Sequence, residues 1–280
     1  MAEIRRLVSL PPRADDGNKG SFGTVIIIGG CENYIGAPVL SGKAAYRAGC
    51  GLVEMVVPEI VRNSCAGSFP EAIWNCSAFA EGYVPARKNS VAVIGPGLGT
   101  SAETAEKLPE LIRSAAASCR MLILDADALN LLSRIPDWCS MIPRHCVLTP
   151  HPGEMSRLTG LAIEDIQKDR AAVAHEKAIE WQQIVLLKGA NTVIAAPEGY
   201  YIVLPYASSA LSMAGSGDVL SGIIAGFAAQ GKFPFDAAWL GGEIHARAGL
   251  LCAAKFGNQY SVMAGDLLDR LPDAISNYPG

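Results

Sequence analysis

The chain has 280 residues, half of them hydrophobic and 18% charged, with 29 glycines and a net charge of −4. Disorder needs low hydrophobicity with high charge, so the composition excludes it, and glycines without a three-residue period exclude collagen. No basic stripe appears, which removes the electrostatic footprint of a nucleic-acid binder.

From the N-terminus, residues 1–20 carry charges and prolines and no apolar core, so they do not read as a secretory signal. Residues 24–28 (TVIII) end in Gly29-Gly30 and fit a strand buried on both faces. Residues 36–48 read as a helix, and 52–57 as the next strand, ended by Pro58. Nothing is legible in residues 60–90. Residues 91–94 and 121–124 are strands separated by a helix over 102–117. Residues 146–149 and 184–187 are strands around a helix near 163–181. Residues 192–196 and 201–204 flank a Pro-Glu-Gly turn and form a hairpin. Helices then cover about 218–230 and 234–254.

The most membrane-like stretch, 204–229, contains Pro205, Asp218 and a Gly-Ser-Gly-Asp break. A midspan carboxylate is costly, so this is a buried core segment and no membrane partner is expected. The eight cysteines form no C-x-x-C pair and no zinc spacing. They read as reduced, buried thiols in a cytoplasmic chain. Alternating strands and helices predict an α/β fold with a mostly parallel central sheet between two helical layers (αβα), as one domain over 1–280. The apolar helix around 239–254 fits either a buried interface between copies or a plain core helix.

Ligands of such sheets sit beyond the carboxyl ends of the strands. Small, polar and turn-forming residues follow every central strand: Gly95-Pro96-Gly97-Leu98-Gly99, Asp125-Ala126-Asp127-Ala128-Leu129-Asn130, Thr149-Pro150-His151-Pro152-Gly153-Glu154 and Lys188-Gly189-Ala190-Asn191-Thr192. Together they predict a long ligand cleft along one edge. The sharpest segment is Ala214-Gly215-Ser216-Gly217-Asp218 at a helix start. Its backbone N–H groups and helix dipole make an anion or phosphate cradle. Asp218 either caps the helix or takes the proton of a hydroxyl attacking a phosphate. Neither a Walker A loop nor a dinucleotide fingerprint is present.

Other positions stay open at this level. His151 fits a ligand contact or a surface turn, and Lys188 faces phosphate or solvent. Glu154 caps or enters the next helix, or approaches a metal. Asp125 and Asp127 suit Mg²⁺ or a ribose, or Asp127 caps the helix of Asn130. His145, His175 and His245 receive no role.

The ordered set of motifs resembles the ADP-dependent NAD(P)H-hydrate dehydratases, a branch of the ribokinase-like superfamily. It comprises Lys19-Gly20-Ser21-Phe22-Gly23, Ile28-Gly29-Gly30 with Tyr34-Ile35-Gly36-Ala37, the four strand-end motifs above, and Gly215-Ser216-Gly217-Asp218. The resemblance covers about residues 15–272. It implies a ribokinase-like fold and a lyase that repairs hydrated nicotinamide nucleotides. ADP would phosphorylate the C6 hydroxyl of the S epimer of NADHX or NADPHX. Phosphate would then leave, giving NADH or NADPH, AMP and phosphate. Asp218 would be the base, with Ala214, Gly215, Ser216 and Gly217 as the anion hole. Ala37, Gly97, His151 and Asp218 would line the hydrated nucleotide. Lys188, Gly189, Ala190, Asn191, Thr192 and Gly217 would contact the adenine nucleotide.

The resemblance further implies ADP as co-substrate, Mg²⁺ with unnamed ligands, a homotetramer, and an epimerase carried on a separate chain. Two departures stand out. Asn18 replaces a common His, and Ser208-Ser209-Ala210-Leu211-Ser212-Met213-Ala214 replaces a segment that usually opens on Asn. The anion hole is expected to survive both. The alternatives are an ATP-dependent hydroxyl kinase, hydroxyethylthiazole kinase-like or acting on a sugar or vitamin, and a non-catalytic nucleotide-binding protein.

Overall fold

The computed structural model describes residues 2–4, 7–87 and 89–279. Its strands are β1 (Ala2–Glu3), β2 (Thr24–Ile28), β3 (Leu52–Val56), β4 (Ile73–Trp74), β5 (Ser90–Ile94), β6 (Met121–Leu124), β7 (Val147–Leu148), β8 (Ile184–Leu187), β9 (Val193–Ala195) and β10 (Tyr200–Val203). They form one sheet in the order β1-β10-β9-β8-β7-β6-β5-β2-β3-β4. From β8 to β4 every pairing is parallel, and β9 is antiparallel to both neighbours, as the predicted hairpin requires.

The helices are α1 (Ala37–Arg47), α2 (Glu59–Cys65), α3 (Cys76–Glu81), α4 (Ala102–Ser118), α5 (Asp127–Leu132), α6 (Pro152–Thr159), α7 (Ile163–Lys168), α8 (Arg170–Trp181), α9 (Ser216–Ala229), α10 (Pro234–Phe256) and α11 (Ala264–Ser276). Side chains alternate across a strand, so β2 supplies both cores. Val25 and Ile27 join Ile223, Phe227 and Leu240 on the face of α1, α9, α10 and α11. Ile26 and Ile28 join Leu108, Ile112 and Leu129 on the face of α4, α5 and α8. All of them are sealed from solvent except for traces, and each fully buried isoleucine contributes about 1.5–3 kcal/mol. Burial on both faces is why the run reads apolar throughout instead of alternating.

Three expectations change. The helix near 163–181 is two helices, because Asp169 leaves helical geometry and its carboxylate accepts the Ala172 N–H to start α8. The helix around 239–254 is a core helix of the chain itself: Trp239, Leu240, Ile244 and Ala248 pack on α9, α11 and the sheet. Four of the eight thiols (Cys31, Cys76, Cys119 and Cys139) are only partly buried, and none is bridged.

Residues 60–87, silent in the sequence, fold over the sheet edge. Glu54, buried on β3, accepts hydrogen bonds from Asn75 Nδ2 (2.9 Å) and Arg87 Nε (2.7 Å), which pin that segment. Among the described residues no helix is long and apolar enough to cross a membrane.

Candidate active site

The loops after β2, β5, β6, β7 and β8 lie side by side at one edge, stitched by hydrogen bonds. Gly30 N donates to Pro96 O at 2.9 Å, and Gly99 N to Asp127 Oδ2 at 2.8 Å. Lys188 N donates to Pro150 O at 2.8 Å. Asp127 also accepts from Asn130 Nδ2. It therefore braces the 95–99 loop, and α5 has no side-chain cap. The Lys19–Gly23 motif lies at the opposite edge, where Gly51 and the end of α9 press against it. Asn18 forms its turn by accepting the Gly20 N–H at 2.9 Å.

α9 starts at this edge, over the middle of the sheet. Its N-cap, Gly215, has φ +88°, a left-handed geometry that favours glycine, and it brings no side chain to cap the helix. Ser216 N is already engaged, reaching Met213 O at 3.4 Å. The N–H groups of Gly217 and Asp218 point out of the first turn, where the helix dipole favours an anion.

Beside this start is a cluster of charges. Lys188 Nζ donates to Asp125 Oδ1 at 2.8 Å and stands 3.6 Å from Glu154 Oε2, with its side chain 18% exposed. Burial works against the ammonium, yet Asp125 and Glu154 hold its pKa above the ordinary lysine value. The lysine therefore does not face solvent. A β-carbon on Gly217 would lie 3.3 Å from Lys188 Nζ, so the α9 turn looks onto the cluster. Asp218 makes no side-chain hydrogen bond among the described residues. Burial first, and then the charge of Asp125, push its carboxyl up to about 7.

His151 is the N-cap of α6. Its Nδ1 accepts from Gly153 N (2.9 Å) and Glu154 N (3.3 Å), while Glu154 Oε2 accepts from His151 N (2.8 Å), completing a capping box. Burial and the nearby Lys188 push the imidazole down to about 4, so it is neutral with its proton on Nε2, 3.4 Å from Glu154 Oε1. Burial raises the Glu154 pKa, with Lys188 opposing.

A cavity of about 340 Å³ opens here. Of the predicted residues, its wall holds His151, Lys188, Gly189, Ala190, Thr192, Ser216 and Gly217. Leu204, Leu211, Met213 and Leu220 supply an apolar side, and Tyr206 a polar one. Asn191 lies outside the wall, in a left-handed turn with its N–H on Tyr206 O, and Ala214 is exposed. Ala37 and Gly97 pair elsewhere on the edge: a β-carbon on Gly97 would stand 3.0 Å from that of Ala37. A β-carbon on Gly215 would meet Leu40, further along α1, so α1 flanks the α9 start.

The departing segment at 208–214 lines the same cavity and is tied down by Ser209, whose N–H and hydroxyl both donate to Gln259 Oε1. Sequence reasoning missed His245, which bonds Ser216, and Arg170, which donates to the Leu187 and Lys188 carbonyls. An imidazole in the largely apolar middle of α10 was the available signal for the first. His145 and His175 hold the turn between β9 and β10, through Glu198 and the Gly199 carbonyl.

A resident metal does not fit this donor set. Among the described residues, no three His, Cys, Asp or Glu side chains gather for one. Asp125 Oδ1 and Glu154 Oε2, beside the cavity, face the Lys188 ammonium instead.

The chain matches the NAD(P)H-hydrate dehydratase family over residues 25–273. It is 40% identical over 279 residues to a bifunctional NAD(P)H-hydrate repair enzyme of Moorella thermoacetica, a match covering 96% of the chain and 52% of that relative. The chain thus spans about half the length of the first curated relatives it matches. It is 33% identical to an ADP-dependent (S)-NAD(P)H-hydrate dehydratase of Neisseria meningitidis, covering 91% of the chain and 86% of the relative. The ADP/ATP-dependent NAD(P)H-hydrate dehydratase of Bacillus subtilis, co-crystallized with ATP/Mg²⁺, superposes with a TM-score of 0.84 at 30% identity, covering 96% of the chain and 94% of that structure. The fold is the ribokinase-like α/β fold.

Proposed function

The chain belongs to the NAD(P)H-hydrate dehydratase family, and from that premise we propose that it dehydrates the S epimer of hydrated NADH or NADPH at the expense of ADP. The observation that carries this reading is the uncapped start of α9 with Asp218, free of side-chain hydrogen bonds among the described residues, in its first turn. ADP enters the 340 Å³ cavity, its base against Leu204, Leu211 and Met213 and its terminal phosphate toward Gly217. Magnesium arrives on the nucleotide's phosphates, as such ions commonly do.

Asp218 takes the proton from the C6 hydroxyl of the substrate. The hydroxyl oxygen bonds the terminal phosphorus as the bond to the α-phosphate oxygen breaks, and AMP leaves. The N–H groups of Gly217 and Asp218 and the Lys188 ammonium hold the charge of the phosphoryl group in transit. The ring nitrogen then pushes the C6 phosphate out and C5 gives up a proton, which restores the dihydropyridine. Positioning on a rigid edge supplies much of the acceleration. Ala37 and Gly97, on the α1 side, receive the hydrated nicotinamide nucleotide, with His151 on the cavity side. An enzyme selective for the S epimer also calls for an epimerase to convert the R form. The reading carries a cytoplasmic homotetramer as well, and sedimentation of the purified chain tests the assembly.

The experiment mixes the protein with hydrated NADPH, Mg²⁺ and either ADP or ATP, and follows absorbance of the reduced nicotinamide. Recovery with ADP is the expected result. No recovery with either nucleotide, alongside phosphorylation of a small alcohol from ATP, would establish the hydroxyl-kinase reading instead.

A further inference from the structure

His245 is a polar residue on a helix built for burial. Gly241, one turn earlier, lets α10 press against α9: a β-carbon there would stand 2.4 Å from Ile224 Cγ1. This close approach brings His245 to the first residue of α9. Its Nε2 and Ser216 Oγ share a hydrogen bond at 3.0 Å, and the two residues are 7% and 4% exposed. Burial pushes the imidazole down to about 4, so it is neutral. Neutral or not, a buried imidazole costs stability unless it is bonded, and Ser216 is the partner it has.

The hydroxyl it holds has an alternative. A serine in the first turn of a helix can bend back to accept the backbone N–H two residues on. At Ser216 that is the Asp218 N–H, one of the two left open for an anion. We propose that His245 is a positioning residue that holds the Ser216 hydroxyl away from the α9 N-terminus, so that the Asp218 N–H stays open, beside that of Gly217, for the terminal phosphate of the nucleotide. The inference rests on the proposed placement of ADP, in a cavity whose wall includes Gly242, His245 and Ala246 of α10.

The test is calorimetric titration with ADP and AMP, which differ by the phosphate in question. In His245→Phe the hydroxyl is released. ADP affinity should then fall about tenfold, the scale of one hydrogen bond to a charged group, while AMP affinity stays within about twofold. Adding Ser216→Ala to His245→Phe removes the competing hydroxyl and should restore most of the ADP affinity. His245→Gln keeps a hydrogen-bonding tip and should lose less than His245→Phe. Equal weakening of ADP and AMP, or a double variant no better than His245→Phe, would overturn the inference. If the phenylalanine variant does not fold, His245→Leu with and without Ser216→Ala carries the same comparison. A wild-type protein that binds ADP and AMP equally also overturns it. A wild-type protein that prefers ADP yet leaves hydrated NADPH untouched overturns the proposed reaction and not this inference.

Discussion

Two helices begin at the same sheet edge with a carboxylate as their third residue, and they use it in opposite ways. In α6 the carboxylate of Glu154 turns back onto the His151 N–H, and His151 Nδ1 accepts the Gly153 and Glu154 N–H groups. That helix start is closed by its own side chains. In α9 the N-cap is Gly215, nothing caps the turn, and Asp218 bonds to no neighbour among the described residues. The difference follows from one position. An imidazole at the N-cap can accept N–H groups, and glycine cannot. A closed start is a structural joint, and an open one with a free base beside it is a place for an anion and a reacting hydroxyl.

The comparison breaks most sharply at Asp218. Asp218→Asn should lower NADPH recovery about a thousandfold, within the range for loss of a general base, with ADP still bound in a titration. Glu154→Gln, the matching change in α6, should cost far less turnover in the same assay. Lys188, which sits between the two starts, should be the largest stability effect. Lys188→Met leaves Asp125 and Glu154 facing each other without a counter-charge, and a urea melt should lose about 3 kcal/mol.

The pH dependence sharpens the contrast. Asp218 accepts a proton only when ionised, and burial holds its pKa at about 7. The value of kcat/KM should therefore fall about tenfold per unit below that pH. The sign for stability is the reverse of a salt-bridged carboxylate. Between 3.8, the ordinary value, and about 7 the folded chain binds more protons at Asp218 than the unfolded chain does. Stability contributed at this residue falls as pH rises through that window, and Asp218→Asn removes the loss. Thermal melts of the two proteins should diverge in favour of the variant as pH rises from 5 to about 7.5. The smallest effect belongs to the closed helix. His151→Ala should cost about 1 kcal/mol of stability, the usual value of a lost cap, and His151→Asn should recover most of it.

Much of this edge was legible before any coordinates. Apolar runs such as TVIII (24–28) and MLIL (121–124) must be strands covered on both faces, and the residues after them must meet at one edge. Gly215-Ser216-Gly217-Asp218 announces its helix start directly. The partnerships were not legible, because they join residues far apart in the chain. Nothing local says that Lys188 meets Asp125, 63 positions away, or that Ser216 meets His245. His151 between two prolines fits a ligand contact or a turn, and its occupied Nδ1 depends on the cap geometry of α6. The segment after residue 60 lacked periodicity because its short elements bury scattered side chains, Val61, Phe69, Ala78 and Val84, in two different cores and add polar ties through Glu54, Asn75 and Arg87.

The central claim is that the open α9 start passes the terminal phosphate of ADP to the substrate before water is formally lost. The most direct measurement is the amount of AMP formed for each NADPH restored, by chromatography of a single reaction with hydrated NADPH and ADP. The account predicts one AMP and one phosphate for every NADPH. Recovery of NADPH with no AMP, or AMP accumulating with no NADPH, would contradict it.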